Sequence, residues 1–194
     1  MEEKAAVIEA LLFASETLLT AERMAEILPD TEKKEIVLLL DGLMQEYEAR
    51  GGGICLQEVA GGFQFRTRTD LASWIRKLKA GRPGMLSPAA METLAVVAYR
   101  QPLVKSEIDR IRGVDVSGAL KGLLDKKIVR IVGRKDVPGK PIIYGTTRKF
   151  LEVFNLRDLS ELPTLRELKD MQDQPDQPEK PRPQEQPELP ELQR

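Results

Sequence analysis

One order of elements is written twice in this chain, and that repetition limits the architecture more than any other feature. Placing Ala6 on Ala90, a displacement of 84 positions, sets Phe13 on Val97, Ala14 on Ala98, Leu19 on Leu103, Met24 on Ile108 and Ile27 on Ile111. Apolar agreement at a fixed spacing means that one supersecondary unit has been used twice. In the first copy Ala5 to Ala14 carries apolar side chains at helical spacing, and Leu18-Leu19 follows as a short extended link. Thr20 then caps a second helix over Ala21 to Leu28 by accepting a bond from an otherwise unpaired amide, and Pro29 stops it. Asp30 or Thr31 caps a longer helix through Glu48, with Ile36, Leu39, Leu40, Leu43 and Tyr47 on its buried stripe. Gly51-Gly52-Gly53 ends the helical period. Ile54, Leu56 and Val59 lead through Gly61-Gly62 to Phe63-Gln64-Phe65-Arg66, a hairpin whose alternation leaves one face wet. Asp70 caps a short helix carrying Leu71, Trp74, Ile75 and Leu78.

The second copy begins after Gly81-Arg82-Pro83-Gly84, which disfavours helix continuation. Ser87 caps a helix with Pro88 in its first turn, where the missing amide costs nothing, and the helix runs to about Arg100. Pro102-Leu103-Val104 repeats the extended link. Lys105 to Arg112 forms the next helix, Gly113 ends it, and Asp115 caps a third over Val116 to Lys126. Ile128 to Val132 and Pro141 to Gly145 frame the loop Gly133 to Lys140, and from Thr147 a last helix carries Phe150, Leu151 and Phe154. Three helices followed by a hairpin is the winged-helix order. The expected fold is therefore mainly α with small β wings: two tandem winged-helix domains followed by a disordered tail. The boundaries fall at residues 1–80, a linker over 81–86, residues 87–168, and a tail over 169–194 rich in Pro, Glu and Gln. From Gln172 to Arg194 there are six prolines and no aromatic residue, so no core can form there.

Composition narrows the function classes. There is no histidine, and Cys55 is the only cysteine, so zinc sites and cysteine-histidine pairs lose their usual residues and no cofactor or metal is expected. Cys55 lies in the apolar run Ile54-Cys55-Leu56 and reads as a small buried hydrophobe. Gly51-Gly52-Gly53 lacks the Lys-Ser/Thr of a phosphate loop, and Pro138-Gly139-Lys140-Pro141 puts proline where a hydroxyl is needed, so both are turns. Glu46, Glu48, Glu107 and Asp109 are read as solvated carboxylates on polar helix faces, and no residue is given a catalytic role. Aromatic residues, at 5%, are too few for base-stacking platforms. The acidic start and the short apolar stretch after it match neither a signal peptide nor a membrane span, so the cytoplasm is the expected compartment.

The net charge of -1 conceals an uneven distribution. Residues 1–80 hold 10 basic and 14 acidic side chains, whereas residues 105–149 hold 12 basic and 5 acidic. Such a basic region is either a phosphate footprint or a solvated face. A winged helix that reads DNA places side chains at the start of its third helix against base edges. Here those places hold Asp115, Val116, Ser117 and Gly118, with no Arg, Asn or Gln for bidentate base contacts. In the first copy they hold Thr31-Glu32-Lys33-Lys34-Glu35, which is mixed in sign. Sequence-specific reading is thus disfavoured, while Arg130, Arg134, Lys135 and Lys140 near the second wing remain available for non-specific phosphate contact. Trp74 is expected to pack within or between the two domains.

A more specific indication comes from Leu86-Ser87-Pro88-Ala89-Ala90-Met91-Glu92-Thr93-Leu94-Ala95, Ala98-Tyr99-Arg100-Gln101-Pro102 and Ile111-Arg112-Gly113-Val114. Gly133 to Pro141, Tyr144-Gly145-Thr146-Thr147, Phe150-Leu151 and Leu159 to Pro163 extend it, as does the opening with Ile8 to Ala14 and Glu16-Thr17-Leu18. Over about Met1 to Leu165 the chain resembles the segregation and condensation protein B family, ScpB. The resemblance implies a homodimer, joined mainly through the N-terminal domains, that binds the kleisin ScpA through its C-terminal domain. Through the kleisin it implies membership of the Smc complex, whose ATPase is another subunit. Chromosome condensation and partition during cell division, in the cytoplasm at the nucleoid and without a membrane, follow from the same resemblance. The expected partner or DNA contacts are Arg100, Arg112, Arg130, Arg134, Lys135 and Lys140; Arg112, Arg134 and Lys140 either steer an acidic stretch of the kleisin or touch DNA nearby. The alternative is a winged-helix transcription regulator, and an enzyme is the remote third reading.

Overall fold

The structure, a computed structural model, describes residues 2–78, 86–164 and 167. The linker expected from residue 81, apart from Leu86, and the tail expected over 169–194 lie outside the described residues. The chain divides into compact units Met1–Leu162 and Pro163–Arg194, and the first holds every element discussed below.

Two winged-helix modules follow each other in that unit. The first is α1 (Glu2–Ala14), α2 (Ala21–Ile27), α3 (Lys33–Ala49), the antiparallel pair β1 (Ile54–Val59) and β2 (Gly62–Thr67), a 3-10 turn over Thr69–Leu71, and α4 (Ala72–Leu78). The second is α5 (Pro88–Arg100), β3 (Leu103–Val104), α6 (Lys105–Arg112), α7 (Ser117–Asp125), β4 (Val129–Arg134), β5 (Ile142–Thr146) and α8 (Arg148–Phe154). The extended link behaves alike in both. Leu19 and Phe63 exchange backbone bonds of 3.1 and 2.7 Å, and β3 pairs with β5 in the register Leu103 to Tyr144, giving the sheet order β3-β5-β4. The link thereby adds a third strand to the second wing and a single bridge to the two-stranded first wing.

Each module has its own apolar core. Ile8, Leu12, Met24, Ile36, Leu40, Leu56 and Phe63 fill the first, and Leu94, Val97, Ile108, Leu120, Leu123, Val129 and Phe150 fill the second. Met24 and Ile108, matched by the 84-residue displacement, are both fully buried. Burying a side chain of that size contributes about 1.5–3 kcal/mol. The modules also touch. Ala60 donates its N–H to the Leu156 carbonyl at 2.8 Å, and Arg66 donates to Asn155 Oδ1 at 2.7 Å and to the Glu152 carbonyl at 3.0 Å.

The repeat holds from the link onward but not in the first helices. α2 and α6 begin at Ala21 and Lys105, and α3 and α7 at Lys33 and Ser117, all at the expected displacement. Phe13, by contrast, is 82% exposed, and Ala14 is exposed, whereas Val97 and Ala98 are buried. Leu12 faces the first core instead. Four residues separate α1 from Leu19 and two separate α5 from Leu103, so the first helices reach their links by different paths and lose register.

Hydroxyls cap helices at Thr20 and Ser87, where the sequence places them, and at Thr147, which the sequence analysis gave only as the start of a helix. Thr20, Ser87 and Thr147 each accept a backbone N–H at 3.2 Å, from Arg23, Ala90 and Phe150. The aspartates do otherwise. α3 starts after Glu32 with no side-chain cap; Asp30 occupies a left-handed turn at φ 56°, and the Thr31 hydroxyl donates to the Pro29 carbonyl. Asp70 lies inside the 3-10 turn, and α7 starts after Val116 because the Asp115 carboxylate is taken by Lys105 and the Ser117 hydroxyl. Gly113 ends α6 at φ 71°, a conformation glycine adopts without steric cost.

Candidate interaction surfaces

The polar face of the second module is organised by three carboxylates. Glu107 accepts the Val104 N–H at 2.9 Å, closing the first turn of α6, and a bond from Lys135 Nζ at 3.3 Å, which ties the wing to that helix. Asp109 accepts the Val116 N–H at 2.9 Å and pairs with Lys105 at 2.7 Å, and Lys105 also bonds Asp115. Bonds to the charged form hold all three carboxyls below their ordinary values. The Val104 N–H and then Lys135 dominate for Glu107, Lys105 and then the Val116 N–H for Asp109, and Lys105 and then Ser117 for Asp115. Glu107 and Asp109 are therefore fasteners rather than merely solvated charges. Glu48, read in the same way, pairs with Arg68 at 3.2 Å.

The six cations singled out from the sequence are spread over the module. Arg100 stands exposed at the end of α5 without an ion pair among the described residues. Arg112 has a side chain only 17% exposed and is paired with Glu92 on α5, with its Nε buried and unbonded. Arg130 donates through Nε to the Thr146 carbonyl at 3.2 Å, and Lys135 is held by Glu107. Arg134 donates to the Lys140 carbonyl at 3.2 Å. Only Arg134 and Lys140 come together, lining a groove with Lys105, Ser106, Asp109 and Tyr144. Lys105 was not singled out in the sequence: its i,i+4 spacing to Asp109 was the available signal, whereas its second partner, Asp115, lies ten positions away across the turn. At the start of α7, Ser117 and Gly118 are exposed beside Asp115, so the first turn of this third helix offers no long donor to a base edge.

Among the described residues, each module carries an open apolar surface. On the first module Ala6, Ala10 and Phe13 of α1 line a shallow pocket with Tyr47, Ile54 and Phe65. The Tyr47 hydroxyl donates to Glu9, and its ring meets Phe65 at 4.8 Å between centroids. That bond, followed by burial, pushes the Tyr47 hydroxyl pKa up. On the second module Leu86, Met91 and Ile128 form a groove with Val153 and Phe154 of α8, flanked by Lys126 and Lys149. Trp74 packs neither within nor between the domains, contrary to expectation. It is 65% exposed on α4, a helix with no buried residue, and Lys77 lies 4.6 Å from its ring centre. The first core is built from α1, α2, α3 and the wing, and α4 adds no buried residue to it. Cys55 is buried, as its apolar neighbours imply, and burial raises its pKa.

The sequence model described as "Segregation and condensation complex subunit ScpB" matches residues 6–165. The chain is 50% identical over 159 residues to the segregation and condensation protein B of Syntrophotalea carbinolica, covering 82% of this chain and 80% of that one. It is 45% identical over 155 residues to the protein of that name from Symbiobacterium thermophilum, covering 80% and 70%. Among solved structures, ScpB from Mycobacterium tuberculosis is 33% identical with a TM-score of 0.39, covering 80% of this chain and 96% of that one. A structure described as a dimer of the ScpB N-terminal domain complexed with ScpA peptide is 29% identical with a TM-score of 0.37, covering 40% and 95%.

Proposed function

The chain belongs to the family of segregation and condensation complex subunit ScpB, and from that premise we propose that it is a non-catalytic, homodimeric subunit of the Smc complex that binds the kleisin ScpA. Its task is to support chromosome condensation and partition during cell division, in the cytoplasm at the nucleoid. The first module carries the dimer contact and the second, over 87–168, takes the kleisin; the Smc ATPase is reached through the kleisin. The observation that carries this reading is the open apolar surface on both modules. Phe13 on α1, and Met91 with Val153 on the second module, are exposed, whereas the helix starts that a DNA reader would use carry Asp115, Ser117 and Gly118. Among the described residues no helix is long and apolar enough to cross a membrane.

The rival reading is a transcription regulator, for which Arg130, Arg134, Lys135 and Lys140 would supply phosphate contacts. Co-expression with the cognate kleisin, followed by titration of the purified chain with duplex DNA across a salt series, separates the two. The proposal expects co-purification, together with DNA binding that is weak, indifferent to sequence and lost as salt rises. Selection of one operator-like duplex from a random pool, with no kleisin retained, would overturn it.

A further inference from the structure

We infer that the first wing is a latch that holds the two modules in one mutual orientation, with Arg66 as its fastening residue. The inference does not depend on what either module binds. It begins on the hairpin face that alternation in the sequence leaves to water. Phe63 is buried in the first core and Phe65 packs against it, but Arg66 on the other face of β2 reaches the end of α8. Its guanidinium donates to the Glu152 carbonyl at 3.0 Å and to Asn155 Oδ1 at 2.7 Å. Glu152 lies in the last turn of α8, where carbonyls lack partners within the helix, and Asn155 is the left-handed cap at φ 56°. A planar guanidinium fork satisfies two such acceptors together, and a cation is favoured at the negative end of a helix.

The hairpin tip joins the same contact. Ala60 donates its N–H to the Leu156 carbonyl at 2.8 Å and is only 8% exposed, although loop tips ordinarily stand in water. A β-carbon on Gly62 would lie 3.1 Å from the Arg148 guanidinium, so the wing approaches α8 too closely there for a side chain. Arg148, Glu152 and Asn155 follow one another at four and three positions and share one face of α8. Phe150 and Leu151 turn into the second core, and Val153 is left exposed. Each module has its own core, so parting the wing from α8 opens neither. Domain motion is the default across contacts of this kind, and Arg66 makes two of the three bonds that oppose it here. With the latch closed, the α1 surface of the first module and the groove beside α8 keep one mutual direction; with it open, they turn independently.

Distances between spin labels on the full chain test this. Labels at Lys34→Cys on α3 and Lys121→Cys on α7, both exposed positions, are introduced with Cys55→Ser, and labelled chain is diluted with unlabelled chain so that only distances within one chain are read. The unaltered latch should give a single narrow distance. Arg66→Met keeps the length of the side chain but removes its donors; the ratio of closed to open forms should fall about tenfold or more, seen as a broad or second distance with the helix signal unchanged. Asn155→Gly retains the left-handed cap, which glycine adopts freely, and removes only the Oδ1 acceptor, so a smaller broadening is expected. A broad distribution before any change at the latch, or a narrow one in both variants, would overturn the inference. Should Arg66→Met fail to fold, a narrow distance in Asn155→Gly alone would overturn it.

Discussion

Gly145 shows how tightly single residues are constrained in the second module. A β-carbon there would lie 2.8 Å from Val132 Cγ2 and 2.9 Å from Gln101 Oε1. Val132 is half exposed and able to turn aside, but Gln101 is not: its Oε1 accepts the Thr146 N–H at 2.8 Å, while Nε2 donates to the Thr146 hydroxyl at 2.9 Å and the Ala98 carbonyl at 3.2 Å. Gly145→Ala must push that amide away and should lower stability by about 1–3 kcal/mol. Gln101→Ala should cost about as much by leaving the Thr146 donor unpaired. Because the two share one contact, the double variant should lose less than the sum, a coupling readable from urea midpoints; strict additivity would contradict it. Gln101-Pro102 and Tyr144-Gly145-Thr146-Thr147 were quoted from the sequence as marks of family likeness. In the structure Gln101 and Thr146 brace helix against wing across Gly145, a role no local pattern states, because the two partners lie 45 positions apart.

At the scale of elements, α1 is the least satisfied. It points Ile8 and Leu12 into the core and carries Phe13 outward beside Ala6 and Ala10, so that its apolar surface extends beyond the core-facing stripe of an ordinary surface helix. A second copy of the chain is the occupant proposed for that outer face. Phe13→Glu should therefore convert the dimer to a monomer in light scattering, a loss of about 2 kcal/mol or more at one anchor, with an unchanged far-ultraviolet helix signal. A persistent dimer would contradict it. Nearly all helices and both wings were legible from the period of apolar residues, and the caps Thr20 and Ser87 from a hydroxyl set just before a helix. What was not legible has physical causes. Continuous apolarity in α1 does not say which side faces the core, so the repeat was read through Phe13 rather than Leu12. Asp30, Asp70 and Asp115 looked like caps, but turn geometry and, for Asp115, a lysine ten positions away determine where their carboxylates go.

Across the whole molecule, the charged residues that stand out in the sequence are mostly committed internally. Arg112 holds Glu92, Lys135 holds Glu107, and only Arg134 and Lys140 meet, beside Lys105. Apolar side chains left in water, which a composition cannot locate, mark the surfaces instead: Phe13 on one module, Met91 and Val153 on the other. Under the proposed function the two modules divide the work, one docking a like chain and the other a partner. The most direct test is the mass of the assembly formed when the purified chain is mixed with its cognate kleisin, measured by size-exclusion chromatography with light scattering at a salt concentration that dissociates non-specific DNA. A single species containing two copies of this chain together with kleisin is the predicted result. Separate elution of the kleisin and a monomeric chain would contradict the account.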